Sequence, residues 1–262
     1  MIISTYNWPK ALDFCLQSIL SQTRLPNEVL IADDGSTSET AELIKYYQSI
    51  FPIPLLHIWQ EDKGFYKTHI LNKTVAASQY DYIIQIDGDI LLENFFVEDH
   101  LKIARKNYFV RGSRSLLNEA VTENILLAKN IPPFAFLRKK CNHKLNSIRN
   151  KVLAKLLYHY KTIGKNKYSL IGCNMAFWKK DFIKINGYNE EIVGWGYEDY
   201  ELAVRLIKAG CKKQTLKMAG IAFHLQHAKR SKENVKHHYN IFHNSTLSDK
   251  FICEFGINKY LS

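Results

Sequence analysis

Two apolar periods alternate through the first third of the chain. Met1–Thr5, Glu28–Ala32, Leu55–Trp59 and Tyr82–Ile86 are short runs rich in β-formers. Between them the spacing is helical. Pro9 opens a stretch in which Leu12, Cys15/Leu16 and Ile19/Leu20 recur on one face. A second helical stretch ends near Ile50, and a third runs from about Phe65 to Ser78. Strands separated by helices of this length predict right-handed crossovers and a mostly parallel central sheet flanked by helices, an α/β class. Further on, the pattern predicts a helix near Phe95–Lys106 and a less regular middle. Strands are expected over Tyr168–Phe177 and Ala219–Leu225, with a turn at Gly187–Glu191 between them. Tyr200–Ala209 reads as a helix ended by Gly210, and the last stretch as polar and helical.

Polar clusters follow the strands. Thr5-Tyr6-Asn7, Asp33-Asp34-Gly35, Gln60-Glu61-Asp62-Lys63 and Asp87-Gly88-Asp89 each sit at a predicted strand's C-terminal end. In an open α/β sheet that edge binds ligands. Asp87 and Asp89 stand at the lip of the most apolar strand, and such carboxylates repel unless a cation or a hydrogen-bonding sugar lies between them. Gly88 gives the turn unusual dihedrals or close access to its backbone. A plain turn after a strand has the same composition. Later, Gly194-Trp195-Gly196 presents an indole between two glycines, a face on which a sugar ring can stack. Glu198 and Asp199 follow, and as residues they serve equally as a charged helix start. Glu201 and Arg205, four apart, read as surface support.

At 262 residues and 46% hydrophobic content, the chain can bury one large core or two small ones. No apolar run is long enough to span a bilayer, and the start shows no signal-peptide pattern. The five cysteines are scattered, without a Cys-x-x-Cys pair, which fits a reducing cytosol. The net charge of +11 is local: Asn124–Lys180 holds thirteen Lys and Arg and no acid. Within it, Leu145, Ile148, Val152, Leu156 and Tyr160 form one stripe, predicting a basic amphipathic helix over Lys144–Tyr160. Such a helix suits an anionic membrane surface, here residues 138–167, or else a solvated face or subunit contact.

The ordered motifs carry a resemblance. Ile3-Ser4-Thr5-Tyr6-Asn7, Ala32-Asp33-Asp34-Gly35-Ser36 and Ile86-Asp87-Gly88-Asp89 resemble the N-terminal motifs of family-2 glycosyltransferases with the GT-A fold. Gly172-Cys173-Asn174-Met175-Ala176-Phe177, Asn186-Gly187-Tyr188 and Gly194-Trp195-Gly196-Tyr197-Glu198-Asp199 resemble the part shared by β-1,4-galactosyltransferases and chondroitin-polymerase-like enzymes. The resemblance implies a nucleotide-sugar half over 1–110 and a basic helical insert over 111–167. It also implies an acceptor and catalytic half over 168–230 and a helical tail over 231–262. Thr5, Asn7, Asp34 and Asp87 would bind the donor, Asp89 and His224 (His227 in second place) a metal ion, Trp195 and Glu198 the acceptor sugar. Asp199 would be the catalytic base. A buried structural histidine is the alternative at 224 or 227.

Mixed carboxylate and imidazole ligation suits Mn²⁺, with Mg²⁺ the alternative. The implied activity is inverting transfer from a nucleotide sugar, by family habit a UDP-sugar, in surface polysaccharide or lipooligosaccharide synthesis. Its acceptor would be a glycan, a lipid-linked one matching the local charge. The place implied is cytoplasmic, extending to the inner face of the plasma membrane. Two departures stand out: Asn72-Lys73 occupies the position of an Arg that many relatives have, and Tyr197 and Tyr200 replace Gly and Asp. The rivals are a sugar nucleotidyltransferase and a non-catalytic basic protein binding membrane or nucleic acid. The first would want a glycine-bearing loop after the first strand, which Thr5-Tyr6-Asn7-Trp8-Pro9 lacks; the second leaves the strand-end clusters unused, and no nucleic-acid motif is present.

Overall fold

The computed structural model describes residues 1–128, 130–228 and 231–261, apart from the Lys165 side chain. Lys129 and that side chain, both in the basic stretch, lie outside the described residues, as do Lys229, Arg230 and Ser262 at the ends of the last two spans. In chain order the elements begin β1 (Ile2–Thr5), α1 (Pro9–Leu20), β2 (Val29–Asp33), α2 (Ser38–Ile50), β3 (Leu55–Trp59), α3 (Lys67–Ala77) and β4 (Tyr82–Asp87). Next come β5 (Ile90–Leu92), α4 (Phe96–Ile103), β6 (Tyr108–Arg111), β7 (Ser115–Leu116), α5 (Glu119–Leu127), α6 (Phe134–Lys140) and α7 (Lys151–Leu156). The chain ends with β8 (Asn174–Trp178), α8 (Lys179–Lys184), α9 (Glu198–Lys208), β9 (Lys212–Thr215), β10 (Ala222–His224) and α10 (Val235–Leu247).

The main sheet has the order β3-β2-β1-β4-β8-β6-β9. Pairs β1–β2, β1–β4, β2–β3 and β6–β9 are parallel, and β8 runs antiparallel to both β4 and β6. Alternation along the strands splits the core into two layers. Ile3, Ile31, Ile84 and Ile86 face α1 and α2, while Ile2, Leu30 and Ile83 face α3, Phe177 and α9. Burial on both faces explains why these strands are unbroken apolar runs. Register then sets the rim: Thr5 lies opposite Asp33, and Ser4 opposite Asp87. Because β8 reverses, its N-terminal end brings Gly172 and Cys173 to the same rim, beside Ile86. A small sheet, β5-β10-β7, pairs His224 with Ile90 and Leu116, carrying the late histidine beside the Asp89 turn.

Several sequence expectations change. The single helix over Lys144–Tyr160 is divided into a 3-10 turn, Lys144–Ser147, and the short α7. Arg149 causes the break: it turns inward to Asp99, with Nη2–Oδ1 at 2.6 Å and Nε–Oδ2 at 2.8 Å. Asn150 restarts the helix by accepting from the Val152 and Leu153 amides, both at 3.1 Å. The strands expected over Tyr168–Phe177 and Ala219–Leu225 shorten to β8 and β10, and β6 and β9 were not anticipated. The tail is less polar than expected, since Ile257 is fully buried in the α3 layer.

Glu201 and Arg205 are not on the surface. They pair in the core at 2.6 Å, and Arg205 Nη1 donates to the carbonyls of Ile185 and Gly187, both at 2.7 Å. Removing the guanidinium leaves Glu201 buried without its counter-charge. Arg205→Ala should therefore cost about 3–5 kcal/mol of stability in urea denaturation. A loss below about 1 kcal/mol, the surface-pair range, would contradict this account.

Candidate active site

A cavity of about 940 Å³ opens over the C-terminal ends of β1 and β4 and the N-terminal end of β8. Of the residues singled out by sequence, Thr5, Asp34, Asp87, Asp89, Trp195, Glu198, Asp199, His224 and His227 all line it. Asn7 is not among its lining residues. Its amide donates to Ser36 Oγ at 2.9 Å and its Oδ1 accepts from the Thr37 amide at 2.9 Å, so it ties the β1 loop to the β2 loop. The neighbouring Asp33 and Asp34 divide their tasks. Asp33 points inward to His57 Nε2 at 2.8 Å, and Asp34 reaches the cavity, accepting from Gln60 Nε2 at 2.5 Å and the Tyr66 amide at 3.0 Å. Burial pushes the Asp34 carboxyl up to about 6.

Asp87 is held from two sides, by Ser4 Oγ and Lys67 Nζ, each 2.6 Å from Oδ1. Burial would raise this carboxyl, but Lys67 by charge and hydrogen bond, with Ser4, brings it down to about 2. Burial would likewise lower the Lys67 ammonium, yet Asp87, Asp199 and Glu198 together hold it above its ordinary range. Sequence reasoning missed Lys67. The one available signal was its place in the first turn of the helix after the third strand, at the ligand rim. Arg114, also unanticipated, lines the cavity and donates to Cys173 Sγ at 3.0 Å. The turn glycine Gly88 keeps an ordinary φ; its need is space, since a Cβ would sit 3.2 Å from Ser4 O. The departure at Asn72 has its own reason: Asn72 is buried and pairs with the Tyr188 backbone at 2.8 and 2.9 Å, below the cavity.

Asp89, His224 and His227 converge. Each histidine Nε2 lies 3.6 Å from an Asp89 oxygen, and the three ligand atoms fall within 4.8 Å of one another. His224 Nδ1 donates to Leu225 O at 2.7 Å and His227 Nδ1 to Ala228 O at 2.6 Å. A carbonyl only accepts, so Nδ1 carries a proton, and in the neutral ring Nε2 is left with its lone pair on the Asp89 side. Asp89 Oδ1 is buried and has no hydrogen-bond partner among the described residues. Burial pushes this carboxyl up against the pull of His224, and pushes His224 down. Asp89 thus presents one oxygen to each imidazole, Oδ1 to His224 and Oδ2 to His227, a donor set that a divalent cation completes.

On the opposite wall, Asp199 Oδ2 accepts from the Gly172 amide at 2.6 Å and Oδ1 from Tyr188 Oη at 3.2 Å. Only glycine fits at 172, where a Cβ would lie 2.8 Å from Asp199 Oδ1. Glu198 Oε2 accepts from the Gly196 amide at 2.9 Å. Tyr197 takes the N-cap of α9 with no side-chain hydrogen bond, and Asp199 lies in the first turn with Glu198 and Glu201, its carboxylate turned to Gly172 and Tyr188. Tyr197 also adopts φ 66°, a left-handed conformation that glycine adopts freely, and stacks on Phe242 at 5.4 Å. Trp195 is 43% exposed beside the cavity, and its loop is held where His238 meets the carbonyls of Val193 and Trp195 at 3.0 and 3.3 Å. Burial raises Asp199 above the ordinary carboxylate range against the pull of Lys67.

The model described as "Glycosyl transferase family 2" matches residues 1–184, and one described as "N-terminal domain of galactosyltransferase" matches residues 156–228. A chondroitin synthase of Pasteurella multocida is 26% identical over 239 residues, covering 86% of this chain and 24% of its own. The chain thus spans about a quarter of that relative's length. S. aureus TarS 1-349 in complex with UDP superposes with a TM-score of 0.64 at 14% identity, over 99% of this chain and 67% of that one. A mannosyltransferase from Pyrobaculum calidifontis, in complex with GDP-Man and Mn²⁺, gives 0.58 at 15% identity, over 95% and 71%. These likenesses place the fold among GT-A glycosyltransferases.

Burial, then Asp199, pushes the Glu198 carboxyl up to about 7. Between the ordinary carboxyl value and about 7 the native state binds more protons, so stability is lost as pH rises through that window. Glu198→Gln should then stabilise the protein by on the order of 2 kcal/mol at about pH 8 and by little at about pH 5, read as thermal midpoints. An equal effect at both pH values would contradict the assignment.

Proposed function

This chain belongs to glycosyltransferase family 2, and on that footing we propose that it moves a sugar from a UDP-linked donor to a hydroxyl of a glycan acceptor, with inversion. What carries the proposal is one juxtaposition: a half-buried carboxylate, Asp199, and three side chains that could together hold a cation are walls of the same cavity. A non-catalytic basic protein has no use for that pairing. The complexes of the two structural neighbours, one with UDP and one with GDP-Man, support a nucleotide-linked donor, and the name of the sequence relative supports a polysaccharide acceptor.

Thr5 and Asp34 bind the nucleoside, with Asn7 holding their two loops together. Asp87 orients the ribose while Lys67 keeps it ionised. Trp195 stacks on the acceptor ring and Glu198 accepts a hydrogen bond from one of its hydroxyls. Asp199 takes the proton of the attacking hydroxyl; the new glycosidic C–O bond forms as the bond from the anomeric carbon to the phosphate oxygen breaks. Base assistance of this kind is worth about 10²–10⁴-fold. Mn²⁺ or Mg²⁺ bound by Asp89, His224 and His227 would supply positive charge to stabilise the departing diphosphate. The Gly172 amide at 2.6 Å, with a longer bond from Tyr188 at 3.2 Å, holds the Asp199 carboxylate in place.

A panel of nucleotide sugars with Mn²⁺ and oligosaccharide acceptors, read as released nucleotide, tests the proposal. The parent should transfer from one donor, stop with EDTA and resume with added Mn²⁺. Asp199→Asn should bind donor as the parent does and lose about 10²–10⁴-fold in transfer. Parent-like transfer by Asp199→Asn, or indifference to EDTA, would overturn it.

A further inference from the structure

The basic segment turns its apolar stripe outward. Leu145, Val152, Leu156 and Ile163 are 64%, 71%, 74% and 82% exposed. Facing the protein body are Ser147 in the 3-10 turn, Ala154 in α7 and, just beyond it, the half-buried Tyr158. This reverses the usual amphipathic arrangement, in which the large apolar residues face the core. Arg149 fixes the reversal by anchoring the segment to Asp99 on α4. At its far end Tyr158 O accepts from the Thr215 amide at 2.9 Å and Tyr160 O from Thr215 Oγ1 at 2.5 Å, pinning it to the sheet edge. The exposed apolar groups are therefore held on an anchored surface.

Charge selects the partner. Each of three exposed lysines directly precedes an exposed apolar residue: Lys144 before Leu145, Lys151 before Val152, and Lys155 before Leu156. No Asp or Glu occurs from Asn124 to Lys180. Apolar side chains alternating with long cationic ones match the boundary between acyl chains and anionic headgroups, where lysine stems lie along the apolar zone and their ammonium groups stay with phosphate. Among the described residues no helix is long and apolar enough to cross a membrane.

We infer that the surface from Lys144 to Ile163 docks the protein on an anionic lipid bilayer. The inference stands apart from the proposed sugar transfer.

Flotation of the whole chain with phosphatidylcholine vesicles, with and without phosphatidylglycerol, tests this without requiring activity. The parent should float with the anionic vesicles, stay behind with the neutral ones, and detach in high salt. Val152→Ser with Leu156→Ser, and separately Lys151→Glu with Lys155→Glu, should each reduce recovery by more than about tenfold. Leu145→Ser, outside α7, gives an independent reading should the helix itself be disturbed, and circular dichroism checks the fold. Equal recovery of parent and variants, or no recovery of the parent, would overturn the inference. So would light scattering that shows a dimer dissolved by these substitutions, because the surface would then be a protein interface.

Discussion

One ammonium group holds the site together. Lys67 Nζ lies 2.6 Å from Asp87, and the carboxylates of Asp199 and Glu198 also act on it. Five acidic groups, Asp34, Asp87, Asp89, Glu198 and Asp199, line a single cavity. Burial, with a smaller push from neighbouring carboxylates, raises Asp34, Asp89, Glu198 and Asp199 above the ordinary carboxylate range, while Asp87, in direct contact with Lys67, falls to about 2. The protein meets the repulsion with Lys67 near the centre, Arg114 close to Asp87 and Asp89, and two imidazole lone pairs that invite a cation.

The scaffold imposes this crowding. Parallel pairing aligns the C-terminal ends of β1, β2 and β4, so their polar ends share one rim. The reversed β8 brings Gly172 to that rim, where its amide receives Asp199 from a helix far along the chain. The small sheet sets His224 opposite Ile90, next to Asp89. Tertiary packing then holds a left-handed residue beside the cavity: Tyr197, at φ 66°, is fixed by Phe242, Tyr239 and Tyr200, so α10 supports the Trp195–Asp199 wall from behind.

Much of this was legible in the residues because burial on both faces leaves unbroken apolar runs, and the strand-end clusters that follow them mark the rim. What stayed hidden has physical reasons. β9 begins Lys212-Lys213-Gln214 and does not look like a strand; yet Lys213 is buried, its ammonium satisfied by the carbonyls of Asn166 and Ser169 at 2.7 and 3.0 Å. Lys67 has no acidic neighbour in sequence that would mark it, since Asp87 lies on the next strand. Arg205 looked like a surface partner because i,i+4 spacing is the same whether a helix face meets water or the core. The stripe on the basic segment showed its period but not its direction, which Arg149 and Asp99 decide.

The claim that Lys67 balances the acidic cavity is tested most directly by Lys67→Met, unfolded in urea with EDTA present, across pH. The account predicts a loss on the order of 2–3 kcal/mol at about pH 8 that shrinks toward about pH 4, as the carboxylates it no longer balances take up protons. A loss independent of pH, or none, would contradict it.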